Sequence, residues 1–301
     1  MYVSKKRVES CSEIAKRTVP NFIKAYQRYR KVYIASGYSE STCNNYLSAL
    51  CQISLYYGQS FHLLSDQQIT EYMYHLRLRK VSHSSIKMLV YGYRFLFKVM
   101  KTPQRCIELK GNRAKVKIPV VLNQNEIKSL LAPKHCPNLK HRVILSLLYS
   151  SGLRISELLK LRVEDIDFNA HRIHIINSKH GVTRYAILSK LMAKGLKAYL
   201  SHYPLGKYLI SGYEKNKPYS ASSVKKILGK TLNTAKINKH ITIHSLRHSF
   251  AVHFLEQGGN LLQLKSLLGH SSLQSTLIYL RVTQATFKEL QSPLDILYRC
   301  H

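Results

Sequence analysis

The stretch of sequence that decides the fold lies near the carboxyl end of the chain and reads IHSLRHSFA over residues 243–251. It is followed by LLGH over residues 267–270 and then by Tyr279. Histidine and arginine are seldom fully buried without partners, so a run that repeats them among apolar residues is unusual for a structural core. His244 and His248 have the spacing of two metal ligands on one helix face, but no Glu lies between them and no acidic third ligand follows. The pattern therefore disfavours a metal site.

Two further segments place charged residues next to glycine. Residues 151–158 read SGLRISEL, with Arg154 and Glu157 after a glycine that ends a predicted apolar helix. Lys179 lies in NSKHG, residues 177–181, between two strand-like runs. Taken singly, an arginine three residues from a glutamate is usually an ion pair, and a lysine in a turn is usually solvated. Neither segment alone predicts an activity.

Considered together, these residue types suit phosphoryl transfer without a metal ion. The transition state of a phosphodiester carries charge on its non-bridging oxygens, which Arg154 and Arg247 can bind through their guanidinium groups. Histidine can move a proton near neutral pH. Tyr279 has an ordinary pKa of about 10, so it needs cationic neighbours before it attacks readily. Its attack would leave a covalent phosphotyrosine that stores the bond energy for rejoining.

The charge of the chain indicates a polyanionic partner. The 301 residues hold 47 Lys and Arg against 15 Asp and Glu, which gives a formal net charge of +32 and a pI near 10.0. Such a charge repels itself, and nucleic acid relieves the repulsion because each neutralised phosphate releases counterions. An anionic membrane surface is the competing partner. It is disfavoured because the basic residues are spread through both halves rather than gathered on one amphipathic helix.

Composition also excludes several classes of protein. Apolar residues make up 45% of the chain, which is enough for a sizeable core. No run approaches the roughly 18 apolar residues of a membrane span, and the start has no apolar signal-peptide core. The six cysteines are scattered without a CxxC pair, which is typical of reduced thiols in a cytoplasmic protein. So few acidic residues disfavour a carboxylate-bound magnesium site and the nucleases that need one.

Periodicity predicts a mostly α chain of two domains. The first hundred residues show helical spacing, and residues 98–117 are basic and lack periodicity. The second half combines helices with a β-hairpin. We therefore predict an all-helical domain over 1–110, a basic linker over 111–120 and an α+β domain with a small β-sheet over 121–301. The predicted helices include 42–55, 69–78, 84–100 and 142–150, and the predicted strands are 171–176 and 183–188.

These motifs resemble those of the tyrosine recombinases of the Xer and phage-integrase type. The runs at 244–251 and 267–270 and the following tyrosine match, in order and spacing, the family's HxLRH, LLGH and nucleophile segments. GLRISEL at 152–158 matches its first-arginine motif, and Lys179 matches its hairpin lysine. The resemblance extends from about residue 15 to the end. It implies a SAM-like core-binding domain and a catalytic domain of the tyrosine recombinase / type IB topoisomerase fold.

The resemblance also implies which residues bind and attack the DNA. Tyr279 would be the nucleophile, giving a 3′-phosphotyrosyl link and a free 5′-hydroxyl. Arg154 and Arg247 would bind the scissile phosphate, and Glu157 would support the arginine site. No metal and no cofactor would take part.

The resemblance also implies which residues transfer protons and which donate the remaining hydrogen bond to the phosphate. Lys179 would protonate the 5′-oxygen that leaves, and His244 would be the proton-transfer residue. His270 would donate a hydrogen bond to the phosphate. His248 would be a packing or supporting residue without a direct role.

The expected function is therefore a site-specific DNA recombinase or integrase acting on double-stranded DNA as a homo-tetramer on two sites. It would be encoded by a mobile element or would act as a Xer-like resolvase, in the cytoplasm and without a membrane or small-molecule partner. A type IB-like topoisomerase and a catalytically silent DNA-binding protein remain alternatives. The sequence leaves open the DNA target, and whether the amphipathic tail at 285–297 docks in cis or in trans.

Overall fold

A computed structural model describes most of the chain. It falls into two units, Met1–Val116 and Lys117–His301, and each has its own hydrophobic core. The domain boundaries predicted above remain predictions. Lys179, most of the predicted linker and the tail lie outside the described residues. Those residues are 9–102, 104–107, 118–176, 183–203, 206–212 and 216–283.

The first unit, as far as it is described, consists of five helices. Ser10, Ser39, Ser65 and Ser82 each precede a helix, and the side-chain oxygen of each accepts a hydrogen bond from a backbone amide of the first turn. The three helices predicted in this half are confirmed as α3, α4 and α5. The five are α1 (Cys11–Thr18), α2 (Phe22–Ala35), α3 (Glu40–Tyr57), α4 (Asp66–Leu78) and α5 (His83–Val99).

Aromatic side chains fill the core of this first unit. Phe22 and Tyr29 meet Phe61 edge to face, with ring centroids 5.7 and 6.1 Å away. The buried hydroxyls are satisfied by backbone: Tyr29 donates to the Gly92 carbonyl and Tyr93 to the Phe61 carbonyl, both at 3.2 Å. Burial raises the pKa of both phenols, so they stay neutral and act as packing groups.

The second unit contains eight helices and three strands within its described residues, together with one 3₁₀ turn at Val163–Asp165. The mostly α fold with a small sheet, predicted from the sequence, is confirmed. The helices are α6 (Gln124–Leu131), α7 (Leu139–Ser150), α8 (Ile155–Lys160), α9 (Lys190–His202), α10 (Ala221–Thr234), α11 (Ile243–Glu256), α12 (Leu261–Leu268) and α13 (Gln274–Leu280). The strands are β1 (Ile166–Asp167), β2 (Arg172–Ile176) and β3 (Thr183–Ile187).

The predicted hairpin is confirmed as the antiparallel pair of β2 and β3. The sheet has the order β1-β2-β3, and Ile175 lies opposite Arg184 in the register. Side chains alternate between the two faces of a strand, and on β3 the buried positions are Arg184 and Ala186. A charged residue therefore occupies an inward position of this strand.

The packing of this unit brings together the segments that carry the motif residues. Helix α7 packs between α9 and α11, while α12 lies against β3 and α13 contacts both α11 and α12. The start of α8 follows α7 directly. Within the described residues, the motif residues singled out above lie at the start of α8, on α11, just after α12 and on α13. None of the described helices is both long and apolar enough to cross a lipid bilayer.

Candidate active site

Arg154 is held by the turn between α7 and α8. Gly152 has φ +58°, and a Cβ atom at that position would lie 2.5 Å from a ring carbon of Phe250, so the turn requires glycine. The turn places Arg154 at the amino-terminal cap of α8. Its backbone amide donates to Oε2 of Glu157 at 2.7 Å, and its guanidinium Nη1 donates to Oε1 at 2.8 Å. Arg154 is thus fixed at both its backbone and its side chain.

Arg247 projects from α11 into the same place. Its Nη1 donates to the Gly152 carbonyl at 2.7 Å and its Nη2 to the Leu268 carbonyl at 2.6 Å. The side chain is only 4% exposed. Burial, with the charges of Arg154 and other neighbours, lowers the pKa of Arg247 to about 10, so it is still a cation at neutral pH.

The carboxyl end of α12 organises three arginines at once. The carbonyls of Leu267, Leu268 and Gly269 accept, in that order, hydrogen bonds from Arg184, Arg247 and Arg154. These carbonyls are the negative end of the helix dipole, which favours cations there. The LLGH run predicted as a motif therefore acts in part through its backbone.

Glycine is needed where α12 ends. Gly269 has φ +62°, a conformation that side chains other than glycine rarely adopt. A Cβ atom on Gly269 would lie 2.5 Å from Cδ of Arg184. Because Gly269 has no side chain, the Arg184 side chain can pack directly against the end of α12 and donate to the Leu267 carbonyl.

Glu157 is the anion shared by these cations. Arg184 Nη2 donates to its Oε2 at 2.6 Å, and Arg247 Nη1 lies 3.8 Å from the same oxygen. With Arg154, three guanidinium groups face one carboxylate, so three minus one leaves a net charge of about +2. A phosphate is the kind of anion that would complete this balance. Arg154 is the most open of the three, with 33% of its side chain exposed.

Arg184 was not identified as a site residue from the sequence. It is 8% exposed, and burial together with the charge of Arg154 lowers its pKa. The signal that could have found it is strand alternation, because Arg184 shares an inward face with Ala186 on β3. An arginine at a buried strand position requires a carboxylate or carbonyl partner nearby.

Tyr279 lies buried beside this cluster. It comes from α13, is 2% exposed, and its hydroxyl oxygen lies 3.0 Å from Nδ1 of His248 on α11. Burial raises its pKa, while the charges of Arg247 and Arg154 lower it. The two arginines thus partly offset the rise in pKa that burial causes at Tyr279, the residue expected to ionise.

The other histidines lie around the tyrosine at different distances. The ring of His270 stacks on that of Tyr279 at 6.3 Å with 16° between planes, and its Nδ1 lies 2.9 Å from Oγ1 of Thr276. Burial and three nearby arginines lower the pKa of His270 to about 4. His244 is exposed in the first turn of α11, and its ring centroid lies 6.4 Å from that of His248.

The structure therefore gathers most of the residues that the sequence singled out. Arg154, Glu157 and Arg247 form one ion-paired cluster, and Tyr279 and His270 lie against it. The remaining two behave differently: His244 contacts this group through the ring of His248, and Lys179 lies outside the described residues.

Comparisons with known proteins identify the family of the chain. Residues 120–286 match the model of the phage integrase family, and residues 22–104 match that of the phage integrase N-terminal SAM-like domain. The tyrosine recombinase XerA of Pyrococcus furiosus is 33% identical over 225 residues, which cover 74% of this chain and 78% of the relative. The chain belongs to the phage integrase family. Within it, the chain is a tyrosine recombinase, an enzyme of the site-specific recombinase/integrase class.

Solved structures show the same fold at low identity. One is the XerH site-specific recombinase bound to a palindromic difH substrate, with a TM-score of 0.70 at 19% identity, covering 95% of this chain and 92% of that one. Another is the integrase of the transposon Tn1549 in complex with circular-intermediate DNA. Its TM-score is 0.68 at 19% identity, and the match covers 90% of this chain and 99% of that one. These likenesses extend the fold assignment over both units of the chain.

Proposed function

We propose that this enzyme cleaves and rejoins double-stranded DNA at specific sites through a 3′-phosphotyrosyl intermediate on Tyr279. The observation that carries the proposal is the placement of that tyrosine beside a buried cluster of three arginines with one carboxylate. The cluster has a net charge of about +2, and a phosphodiester brings one negative charge, on the oxygens around the phosphorus that the tyrosine attacks, with more negative charge developing there in the transition state.

The two arginines of the expected site keep donors available for a phosphate. A guanidinium group has five N–H donors. For Arg154 and for Arg247, the hydrogen bonds described above use two of the nitrogen atoms, Nη1 and Nη2, which carry two hydrogens each. Preorganised donors of this kind stabilise charge that develops in a transition state without reorganising during the reaction. Glu157 and the α12 carbonyls hold both side chains in place for that purpose.

The proposed chemistry combines these positions with the roles that the family resemblance implies. The oxygen of Tyr279 attacks the phosphorus, and the bond from phosphorus to the 5′-oxygen breaks. Arg154 and Arg247 bind the non-bridging oxygens, and His270 donates a further hydrogen bond to the phosphate. Lys179 gives a proton to the 5′-oxygen that leaves. Attack by a 5′-hydroxyl from a second strand reverses these events and frees the tyrosine.

The net charge supports DNA as the substrate. A charge of +32 favours binding to a phosphate backbone through counterion release. Of the solved structures named above, one is bound to a difH substrate and the other to circular-intermediate DNA. We propose that the active assembly is a homo-tetramer on two DNA sites in the cytoplasm, and that it serves a mobile element or acts as a Xer-like resolvase.

Covalent capture on sheared genomic DNA tests this function. Protein is incubated with DNA in excess EDTA and without ATP, quenched in SDS, and the attached DNA is sequenced. We expect SDS-stable adducts that cluster at one sequence with wild type and that are absent with Tyr279→Phe. Adducts without sequence preference would instead support the topoisomerase alternative. No adducts in EDTA, with activity restored by magnesium, would contradict the metal-free chemistry.

A further inference from the structure

The hydroxyl of Tyr279 has a histidine partner that the sequence did not assign to it. Within the described residues, its hydrogen-bond partner is Nδ1 of His248, at 3.0 Å, and the two ring centroids are 5.6 Å apart. The phenol is 2% exposed, so water does not satisfy it. A buried hydroxyl hydrogen without an acceptor is costly, and the phenol therefore donates to His248.

The electrostatics around His248 agree with this direction of the hydrogen bond. Burial and the neighbouring His244 and Arg247 lower the pKa of His248 to about 4, so the ring is neutral near pH 7. A neutral imidazole that accepts at Nδ1 carries its hydrogen on the other nitrogen. The lone pair that faces Tyr279 is therefore free to take a proton.

We propose that His248 is the catalytic residue that accepts the proton of Tyr279 as the tyrosine attacks DNA. The inference rests on the function proposed above and assigns to His248 the role that the family resemblance implies for His244. The O–H bond of the tyrosine breaks, the proton moves to Nδ1, the oxygen–phosphorus bond forms and the 5′-oxygen leaves with a proton from Lys179. On rejoining, Nδ1 returns the proton to the departing phenolate.

The bound phosphate makes this transfer easier than it is in the free enzyme. The cations of Arg247 and Arg154 face the pair from α11 and from the amino-terminal cap of α8, and His270 faces it from the end of α12. A phosphate among these groups offsets the positive charge that disfavours a protonated His248. The histidine thus becomes a better base when substrate is in place.

The same helix supplies a matched control. His253 on α11 has its Nδ1 3.0 Å from the hydroxyl of Tyr149, with ring centroids 5.9 Å apart. Both residues of this second pair are buried or half-buried, as in the first. Substitution of His253 removes a histidine–tyrosine hydrogen bond from the same helix without touching the reacting oxygen.

The test separates proton transfer from positioning. Single-turnover cleavage is measured on a duplex that carries the sequence recovered by covalent capture, with His248→Asn, His248→Phe, His244→Asn and His253→Asn. Asparagine keeps a hydrogen-bond acceptor near the Nδ1 position but cannot take a proton. We expect cleavage about 100-fold slower with both His248 variants, and rates close to wild type with His253→Asn. Cleavage close to the wild-type rate with His248→Asn would overturn the proposal. A loss of cleavage rate that is larger with His244→Asn than with His248→Asn would overturn it as well.

A sulfur leaving group identifies the step that fails. A duplex with a 5′-bridging phosphorothioate at the cleavage site leaves without an acid, so it relieves a defect at the leaving group but not one at the nucleophile. We expect the loss in His248→Asn to persist on this substrate and the loss in Lys179→Ala to be largely relieved. Relief of His248→Asn would contradict its role as the acceptor for Tyr279.

A measurement on intact protein covers the case in which His248 variants do not fold. Nitrogen-15 NMR of labelled histidines reports which ring nitrogen carries the hydrogen. We expect one imidazole with an unprotonated Nδ1 near pH 7 whose Nδ1 resonance shifts in Tyr279→Phe and not in Tyr149→Phe. The absence of such a resonance would overturn the inference, whereas failure of wild type to form any DNA adduct would refute the proposed function instead.

Discussion

Two histidine–tyrosine pairs on helix α11 have nearly the same geometry and different surroundings. In both, Nδ1 of the histidine lies 3.0 Å from the phenol oxygen, and burial lowers the pKa of the histidine. The pair of His248 and Tyr279 lies beside the arginine cluster. The ring of His253 in the other pair also hydrogen-bonds the backbone of Leu122, where the chain enters this unit.

The difference in charge decides what each phenol can do. Arg247 and Arg154 lower the pKa of Tyr279 against the effect of burial. At Tyr149 the charge of Glu256 adds to the effect of burial and raises the pKa further. A buried histidine–tyrosine hydrogen bond is therefore not an active site by itself. The guanidinium groups around one pair make the difference.

The largest expected effect comes from removing each phenol oxygen in turn. Tyr279→Phe removes the nucleophile, and we expect DNA cleavage to fall by more than about 10⁴-fold, with DNA binding nearly intact. Tyr149→Phe removes the matching hydroxyl, and we expect cleavage within about threefold of wild type, since that oxygen forms no bond in the reaction. SDS-stable adducts and gel shifts measure both. Comparable losses of DNA cleavage in the two variants would contradict the claim that only the Tyr279 hydroxyl reacts.

The second effect tests the carboxylate next to each pair. Glu157→Gln leaves Arg184 and Arg247, both nearly buried, without their anion, so we expect the free energy of unfolding to fall by about 3 kcal/mol. The exposed Glu256 has no such role, and Glu256→Gln should change stability by less than about 0.5 kcal/mol. Urea unfolding of both variants, with and without phosphate, provides the measurement. A Glu157→Gln protein as stable as wild type would contradict the charge balance inferred for the cluster.

The third effect is a dependence of stability on pH. The pKa of His248 and that of His270 are each lowered to about 4 in the folded protein, against about 6.5 in the unfolded chain. Between these values the unfolded chain binds more protons, so stability is complete above about pH 6.5 and is lost as the pH falls toward 4. Because both rings are only partly buried, solvent screening reduces the effect, and we expect a loss of about 2 kcal/mol per histidine over that window.

Substitution assigns this pH dependence to residues. His248→Asn should remove its share of the slope, measured by urea unfolding at pH 4.5, 5.5 and 7. An unchanged slope in that variant, together with an unchanged slope in the corresponding His270 variant, would show that the acid sensitivity arises elsewhere.

The smallest expected effect separates steric contact from backbone strain. Gly269→Ala introduces a Cβ 2.5 Å from Arg184 at φ +62°, whereas Gly258→Ala, beyond the end of α11, is strained at φ +85° with nothing within 4 Å. We expect a loss of about 1 kcal/mol from strain at Gly258 and about 2 kcal/mol at Gly269, with slower cleavage only at Gly269. Thermal unfolding and single-turnover cleavage check this. Equal costs at both glycines would argue against close packing of Arg184.

The sequence predicted the parts of this site that local patterns encode. Helical spacing of apolar residues predicted the helices, two strand-like runs predicted the hairpin, and the order of the motifs indicated Arg154, Arg247, His270 and Tyr279. Arg184 was missed because a buried arginine on a strand has no motif of its own.

The contact between His248 and Tyr279 could not be predicted from the sequence. The two residues are 31 positions apart, and their approach depends on how α13 packs on α11. The hydrogen bonds from three arginines to the end of α12 could not be predicted either. Their acceptors are backbone carbonyls, which every residue type has, so no sequence pattern indicates them.

The identity of the DNA-linked residue tests the central claim most directly. Wild-type protein is trapped on DNA with SDS, digested with nuclease and protease, and the nucleotide-bearing peptide is sequenced by mass spectrometry. The account predicts a single modified residue, Tyr279, joined to a 3′-phosphate. A nucleotide on any other of the 21 tyrosines, such as Tyr149 or Tyr298, would contradict it.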